Sequence, residues 1–337
     1  FPYGGMENPV MTFLTPTFIA GDRSNNGLVA HELAHSWSGN LVTNAVWGDG
    51  WLNEGVTSYF ENRIVEKVYG KQRAEQEAAL AYANIIETLN DVGADAPGTA
   101  LHNDGDGELI GSAIAYDKGH FFMRTLERAV GRERFDAWLR QWFDNHAFQP
   151  ATSQLIYDDL RTNLARSPAE AEQLKLREWI FEPGLPGNVA KPDPQAFAQV
   201  DAAVHAYATG GKIPGAYPGW SAAEQMRFLD NIPKEETAAQ LAALDSALGL
   251  SKTGNNEVLF LWLELALANR YDPAVPQAEK FLSEIGRAKF VRPLFAVLME
   301  QGDWGQPIAK RIYAKTRDSY HAVTRAGIDR LMAKDEG

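Results

Sequence analysis

The sequence predicts a mainly α-helical protein built as two units, and three observations carry that prediction. Apolar residues recur at three- to four-residue spacing in one stretch after another from residue 28 to residue 333, the period of a helix with one buried face. Pro183, Pro186, Pro192 and Pro194, together with Gly184 and Gly187, interrupt that pattern, and none of them continues a helix. At 337 residues the chain is also too long for one ordinary core, since domains run to roughly 100–200 residues.

The first 23 residues are rich in Pro, Gly and Thr and hold a β-prone piece at 11–14, which reads as a strand between loops. Ser24, Asn25 and Asn26 are candidate N-caps for a helix over 28–37, which Gly39-Asn40 ends. A second helix is predicted over 52–69 and closed by Gly70; helices at 73–89, 112–130, 133–145 and 153–163 follow from the same spacing. The predicted organisation is therefore a first domain over 1–181, a Pro/Gly-rich linker over 182–195 and a second domain over 196–337. In the second domain, helices at 196–208, 221–230, 234–248, 256–268, 273–285, 292–299, 307–317 and 321–333 have short connections. They are predicted to stack as antiparallel pairs, a solenoid without a clean sequence repeat.

Composition excludes several function classes. A hydrophobic fraction of 45% with 23% charged residues suits a soluble globular protein, and no apolar run approaches the ~20 residues that span a bilayer. A net charge of −12 argues against nucleic acid as a partner, because phosphate binding needs clustered Lys and Arg. With no cysteine, any metal must be held by His and carboxylates. The chain opens at Phe1 with no signal peptide and reads as starting inside a longer protein; the expectations are a cytoplasmic location and a monomer.

The chemistry concentrates in His31-Glu32-Leu33-Ala34-His35, on a predicted helix. Two histidines at i and i+4 project from one face, so both imidazoles reach one Zn²⁺ at about 2.0–2.1 Å, while Glu32 is turned aside to hold a water. After a gap of eighteen residues beyond His35 stands Glu54, near the start of the next predicted helix. An antiparallel pair of helices returns that carboxylate over the histidines, giving a His₂Glu site with a fourth position open for water. Glu61 falls on the same face as Glu54 and reads either as a hydrogen-bond partner behind a ligand histidine or as a solvated helix charge. Zinc brings the pKa of its water toward ~7, Glu32 takes the proton, and amide hydrolysis follows. His102, His120, His146, His205 and His321 lack ligand spacing and read as polar or core residues.

Two further motifs stand in order around this one: Gly4-Gly5-Met6-Glu7-Asn8 before it and Tyr116-Asp117-Lys118-Gly119 after it. In all three the chain resembles the zinc aminopeptidases of the gluzincin clan, and most closely their leukotriene hydrolase and aminopeptidase B branch. The resemblance continues through the proline-rich stretch to residues 286–295. It implies a thermolysin-like zinc catalytic domain, incomplete at its N-terminus and lacking the β-rich domain that precedes it in the family, followed by a helical HEAT/armadillo-like domain. It also implies that Glu7 pairs with the substrate's ammonium group, that Gly4, Gly5, Met6 and Asn8 line the substrate, and that Tyr116 donates to the oxyanion. Arg287 and Lys289 match the branch's grip on a substrate carboxylate, which favours short peptides, tripeptides in particular.

At Glu108 and Gly111 the chain departs from the hydrolase branch, which has a shorter acid and an aromatic there, so peptide hydrolysis rather than epoxide hydrolysis is expected. The expected function is a zinc-dependent aminopeptidase that hydrolyses the N-terminal bond of short peptides with a water activated by Glu32. An endopeptidase of the thermolysin type is one alternative, and the eighteen-residue gap and Glu7 count against it. A non-catalytic peptide-binding scaffold is the other, and the presence of Glu32, Glu54 and Tyr116 counts against that.

Overall fold

The computed structural model describes residues 2–21, 23–103 and 113–333, and the chain is mainly α-helical. It divides into two compact units: Glu7–Thr12 with Gly27–Ala196, and Phe1–Met6 with Phe13–Asn26 and Phe197–Gly337. The division after Ala196 falls at the end of the proline-rich stretch. Residues 1–6 and 13–26, expected with the first domain, group instead with the second.

The first unit is carried by α1 (Asn26–Ala34), α2 (Gly50–Tyr69), α3 (Lys71–Val92), α4 (Gly119–Val130), α5 (Arg132–His146), α6 (Ser153–Asp159), α7 (Pro168–Leu174) and α8 (Leu176–Phe181). Its core is aromatic, with Trp51, Phe121, Phe122, Phe135 and Trp179 all fully buried. Two short strands, Val42–Asn44 and Gln149–Ala151, pair in parallel and bring the chain after α1 beside the chain after α5.

One expected helix, 112–130, is not uniform: Ala113–Lys118 forms a π-helical turn before α4 begins. The reason lies in a backbone crossing. A Cβ on Gly55 of α2 would lie 2.6 Å from both the Ala115 carbonyl oxygen and the Gly119 Cα, so the two segments meet without side chains between them. Residue 55 follows Glu54, and residue 119 follows the turn that carries Tyr116, so this contact sets the spacing of two predicted site residues.

The stretch 182–195 is not a free linker, because polar side chains of the first unit fasten it down. Lys118, fully buried, donates from Nζ to Thr99 O at 2.7 Å and Glu182 O at 3.2 Å. Arg124 Nε donates to Ala190 O, the Ala190 amide donates to Thr125 Oγ1, and the Asp193 amide donates to Glu75 Oε2 at 2.8 Å. Prolines break helical pairing, yet the backbone groups left over still need partners, and here side chains provide them.

Among its described residues the second unit holds a two-stranded antiparallel ribbon, with Gly5–Met6 paired to Phe13–Leu14, and eight α-helices. These are α9 (Ala198–Gly210), α10 (Ala222–Asn231), α11 (Ala238–Leu248), α12 (Asn256–Ala268), α13 (Val275–Glu284), α14 (Ala288–Glu300), α15 (Gly302–Thr316) and α16 (Ala322–Ala333). Ser221 with Glu224 and Thr237 with Gln240 form complete capping boxes, which start α10 and α11. α14 and α15 begin a turn earlier than expected, with Pro293 and Pro307 inside them; proline reads as a helix start, and here another turn precedes it.

Candidate metal centre

The site lies within the first unit. α1 presents His31 and His35 on one face with ring centroids 4.7 Å apart, and α2 returns Glu54 to them. Glu54 Oε2 is 3.2 Å from His31 Nε2 and 3.4 Å from His35 Nε2. Behind the imidazoles, His31 Nδ1 donates to Glu61 Oε2 at 3.0 Å and His35 Nδ1 donates to Ser38 O at 2.9 Å. Thr57 Oγ1 also donates to Ser38 O, at 3.1 Å. Glycine makes the Glu61 contact possible, since a Cβ on Gly27, one turn before His31, would lie 2.8 Å from Glu61 Oε1.

These outer contacts fix the tautomers: the proton of each ring sits on Nδ1, and both Nε2 lone pairs face the Glu54 carboxylate. Two lone pairs and a carboxylate at such distances repel one another unless positive charge lies between them. The electrostatics show the same demand for positive charge: burial pulls His31 down, but Glu54 and Glu61 outweigh it and raise the ring, and Glu54 likewise raises His35 against its own burial, so the acids draw in a proton where no metal ion lies between them. Burial would raise Glu54, and the two imidazoles instead hold it at about 2. Two imidazole nitrogens and one carboxylate, without thiolate, are the donor set of catalytic zinc, so the residues present fit that ion.

Glu32 Oε2 is buried with no hydrogen-bond partner. Burial lifts its carboxyl to about 7 against the pull of His31 and His35. Its carboxylate, that of Glu7 and a ring nitrogen of His35 all lie within 4.8 Å of one another, so two acids converge beside the ligand set. Glu7 is held from two sides: Asn53 Nδ2 donates to its Oε1 at 3.1 Å, and Asn40 Nδ2 to its backbone oxygen at 2.8 Å. Tyr116, on the π turn, stacks on His31 with ring centroids 5.6 Å apart and 11° between planes. Burial and the nearby Glu54 raise its phenol, which keeps the hydroxyl a donor.

Among the described residues, the groups able to hold an ion are His31–His35–Glu54 and Glu7–Glu32–His35. Asn53 and Asn40 were not singled out by sequence; the available signal was that Asn53 precedes Glu54 and Asn40 closes the helix stop after His35. Gly39 has φ +121°, and a Cβ there would lie 2.3 Å from Asn53 Oδ1, so this glycine too is part of the site's framework.

Other predicted residues fall elsewhere. Gly5 and Met6 form a strand of the second unit, where the Thr15 amide donates to Gly4 O at 2.9 Å; Asn8 is half-buried in the first. Arg287 and Lys289, in the second unit, both hold Glu257, Arg287 Nη1 to Oε1 at 3.1 Å and Lys289 Nζ to Oε2 at 2.7 Å. Glu108 and Gly111 lie outside the described residues.

A His₂Glu donor set with an unpartnered carboxylate beside it, on a mainly helical frame, defines the class of zinc metallopeptidases. Residues 1–179 match the peptidase family M1 domain, and residues 220–332 match the C-terminal domain of leukotriene A4 hydrolase. Leucine aminopeptidase 2 of Pyricularia oryzae is 34% identical over the whole chain, and a leukotriene A-4 hydrolase homolog of Botryotinia fuckeliana is 33% identical over 98% of it. The structure of yeast LTA4 hydrolase in complex with bestatin superposes over 98% of the chain with a TM-score of 0.87 at 26% identity, covering 58% of that protein. The chain belongs to peptidase family M1, and its cofactor is zinc. It spans about half the length of the curated relatives it matches, 56% and 52% of the two named.

Proposed function

We propose that this chain carries the catalytic centre of a zinc aminopeptidase acting on short peptides. The supporting observation is the convergence of Glu7 and Glu32 beside His35: two carboxylates next to a metal donor set divide into one that receives a substrate ammonium group and one that moves protons. When bound, zinc supplies Lewis acidity at the scissile carbonyl and acidifies water. Glu32, desolvated and with Oε2 unpartnered, takes the proton of the attacking water and returns it to the leaving amine. Tyr116 donates its hydroxyl proton as a hydrogen bond to the oxyanion. Glu7, oriented by Asn53 and Asn40, accepts the free N-terminus and sets the first peptide bond over the centre.

Arg287 and Lys289 already grip one carboxylate together, that of Glu257, and the same pair is read as the receptor of a short peptide's terminal carboxylate.

The test is a pair of matched tripeptides, one with a free and one with an acetylated N-terminus. Chelator-sensitive release of the first residue from the free peptide alone is expected. Equal cleavage of both would make the chain an endopeptidase, and an amidated C-terminus that changes nothing would remove Arg287 and Lys289 from the reading.

A further inference from the structure

Among the described residues Lys118 is the only buried lysine, with 0% of its surface exposed. Both of its hydrogen bonds go to backbone carbonyls, Thr99 O at 2.7 Å and Glu182 O at 3.2 Å, and no carboxylate among the described residues neutralises it. An ammonium so placed is costly, and burial pulls its pKa down to about 7. An apolar side chain of similar size would fill the space at lower cost, so the group serves placement rather than stability.

What it places is the turn on which it stands. Lys118 is the last residue of the π turn Ala113–Lys118, which carries Tyr116. Its acceptor Thr99 is itself fixed: Oγ1 donates to Ala96 O at 2.7 Å and accepts from the Gly184 amide at 2.9 Å, so the chain at 94–99 and the chain at 182–184 form one platform. The Asp117 carboxylate accepts from Asn84 Nδ2 of α3 at 2.6 Å, and Gly119 meets Gly55 backbone to backbone. An isolated π turn is rare, and these contacts from outside it keep the chain in that form. Tyr116 in turn stacks on His31 with ring centroids 5.6 Å apart. A hydrogen bond from its hydroxyl to an oxyanion tolerates little displacement, since an error of about 1 Å can cost about 10²-fold in rate.

We infer that Lys118 is a positioning residue for catalysis: by tying the π turn to the carbonyls of Thr99 and Glu182 it fixes where the Tyr116 hydroxyl stands. The inference rests on Tyr116 as the oxyanion donor. Through Glu182 it also makes the placement of that hydroxyl depend on how the proline-rich stretch begins.

The experiment is a double-mutant cycle on the intact zinc-loaded chain with a free tripeptide as substrate. Lys118→Met keeps the length of the side chain and removes its donors. It should lower kcat about ten- to a hundredfold, with KM and zinc content unchanged. In the Tyr116→Phe background the same change should cost less than about twofold, because there is no hydroxyl left to misplace. Lys118→Gln, one atom shorter, retains amide donors and should give a kcat between the wild type and the Met variant; thermal melting shows that each variant is folded at the assay temperature. Wild-type kcat in a folded Met or Gln variant overturns the inference. So does an equal loss in both backgrounds, the mark of a general packing role. Full turnover in Tyr116→Phe alone would instead remove Tyr116 as the donor, and the inference would fall with that reading.

Discussion

The two units differ in what they bury. Of the twenty buried polar or charged side chains among the described residues, fifteen lie in the unit that holds the metal centre, including every charged one. The helical second unit buries only Thr15, Thr17, Asn255, Thr316 and Thr324, all uncharged. Apolar packing around residues such as Trp262, Phe290 and Phe295 suffices to build that unit. A buried ion pair is seldom a better source of stability than apolar residues of the same volume, so an ionic interior points to a task other than stability. In the first unit these groups converge at His31, His35 and Glu54, at the Glu32 carboxylate beside them, and on a chain segment that cannot pair its own backbone.

The sharpest break of that comparison is Glu32→Gln, which keeps the volume and removes the proton acceptor. Turnover of a free tripeptide should fall by about 10²–10⁴-fold, the range of general acid–base catalysis, while metal analysis still finds one zinc per chain. Unchanged turnover would leave Glu32 as a buried acid without a role. Tyr116→Phe tests the donor opposite it and should cost about 2.7–4 kcal/mol of barrier. The loss belongs in kcat, with KM little changed; a loss confined to KM would make Tyr116 a packing residue against His31.

Glu75→Gln turns from chemistry to stability. Breaking one partner out of a buried ion pair costs about 3–5 kcal/mol, and Glu75 receives bonds from Arg124, Arg128 and the Asp193 amide. The pH dependence has a definite sign. Burial alone would raise the Glu75 carboxyl, but Arg124, the Asp193 amide and Arg128 outweigh it and hold it below 4.5. A folded-state pKa below the unfolded one stabilises above the unfolded value, and that contribution is lost as pH falls through the lower folded value. Denaturant unfolding of the wild type should therefore weaken below about pH 4.5, and the variant should lose less over the same interval. Identical acid losses in both would exclude Glu75 as the source.

The convergence of His31, His35 and Glu54 was legible because one helical period places the two histidines on a face and the next helix returns Glu54 to it. Its supports were not. Asn53 reaches Glu7 across 46 positions, and nothing local marks such a pair. Gly55 and Gly119 read in sequence only as weak helix formers, because a backbone crossing is a property of two segments. The π turn at 113–118 escaped for a related reason, since six residues are too few to tell its period from an ordinary helix. Residues 182–195 read as a linker because proline reports what a backbone cannot do, and not which side chains will meet it.

The second unit offers the smallest effect and the cleanest contrast. The start of α10 was legible because capping is local: Ser221 accepts from the Glu224 amide, and the Glu224 carboxylate accepts from the Ser221 amide. Ser221→Ala removes half of that exchange and should cost about 1 kcal/mol, read as a lower denaturant midpoint with an unchanged slope. Because no charge is lost from an interior, the cost should be the same at pH 7 and pH 4, and peptide turnover should not move. A pH-dependent loss in this variant would mean that charge does structural work in the helical unit as well, and the contrast between the two interiors would narrow to the zinc donors and the strap around Glu75.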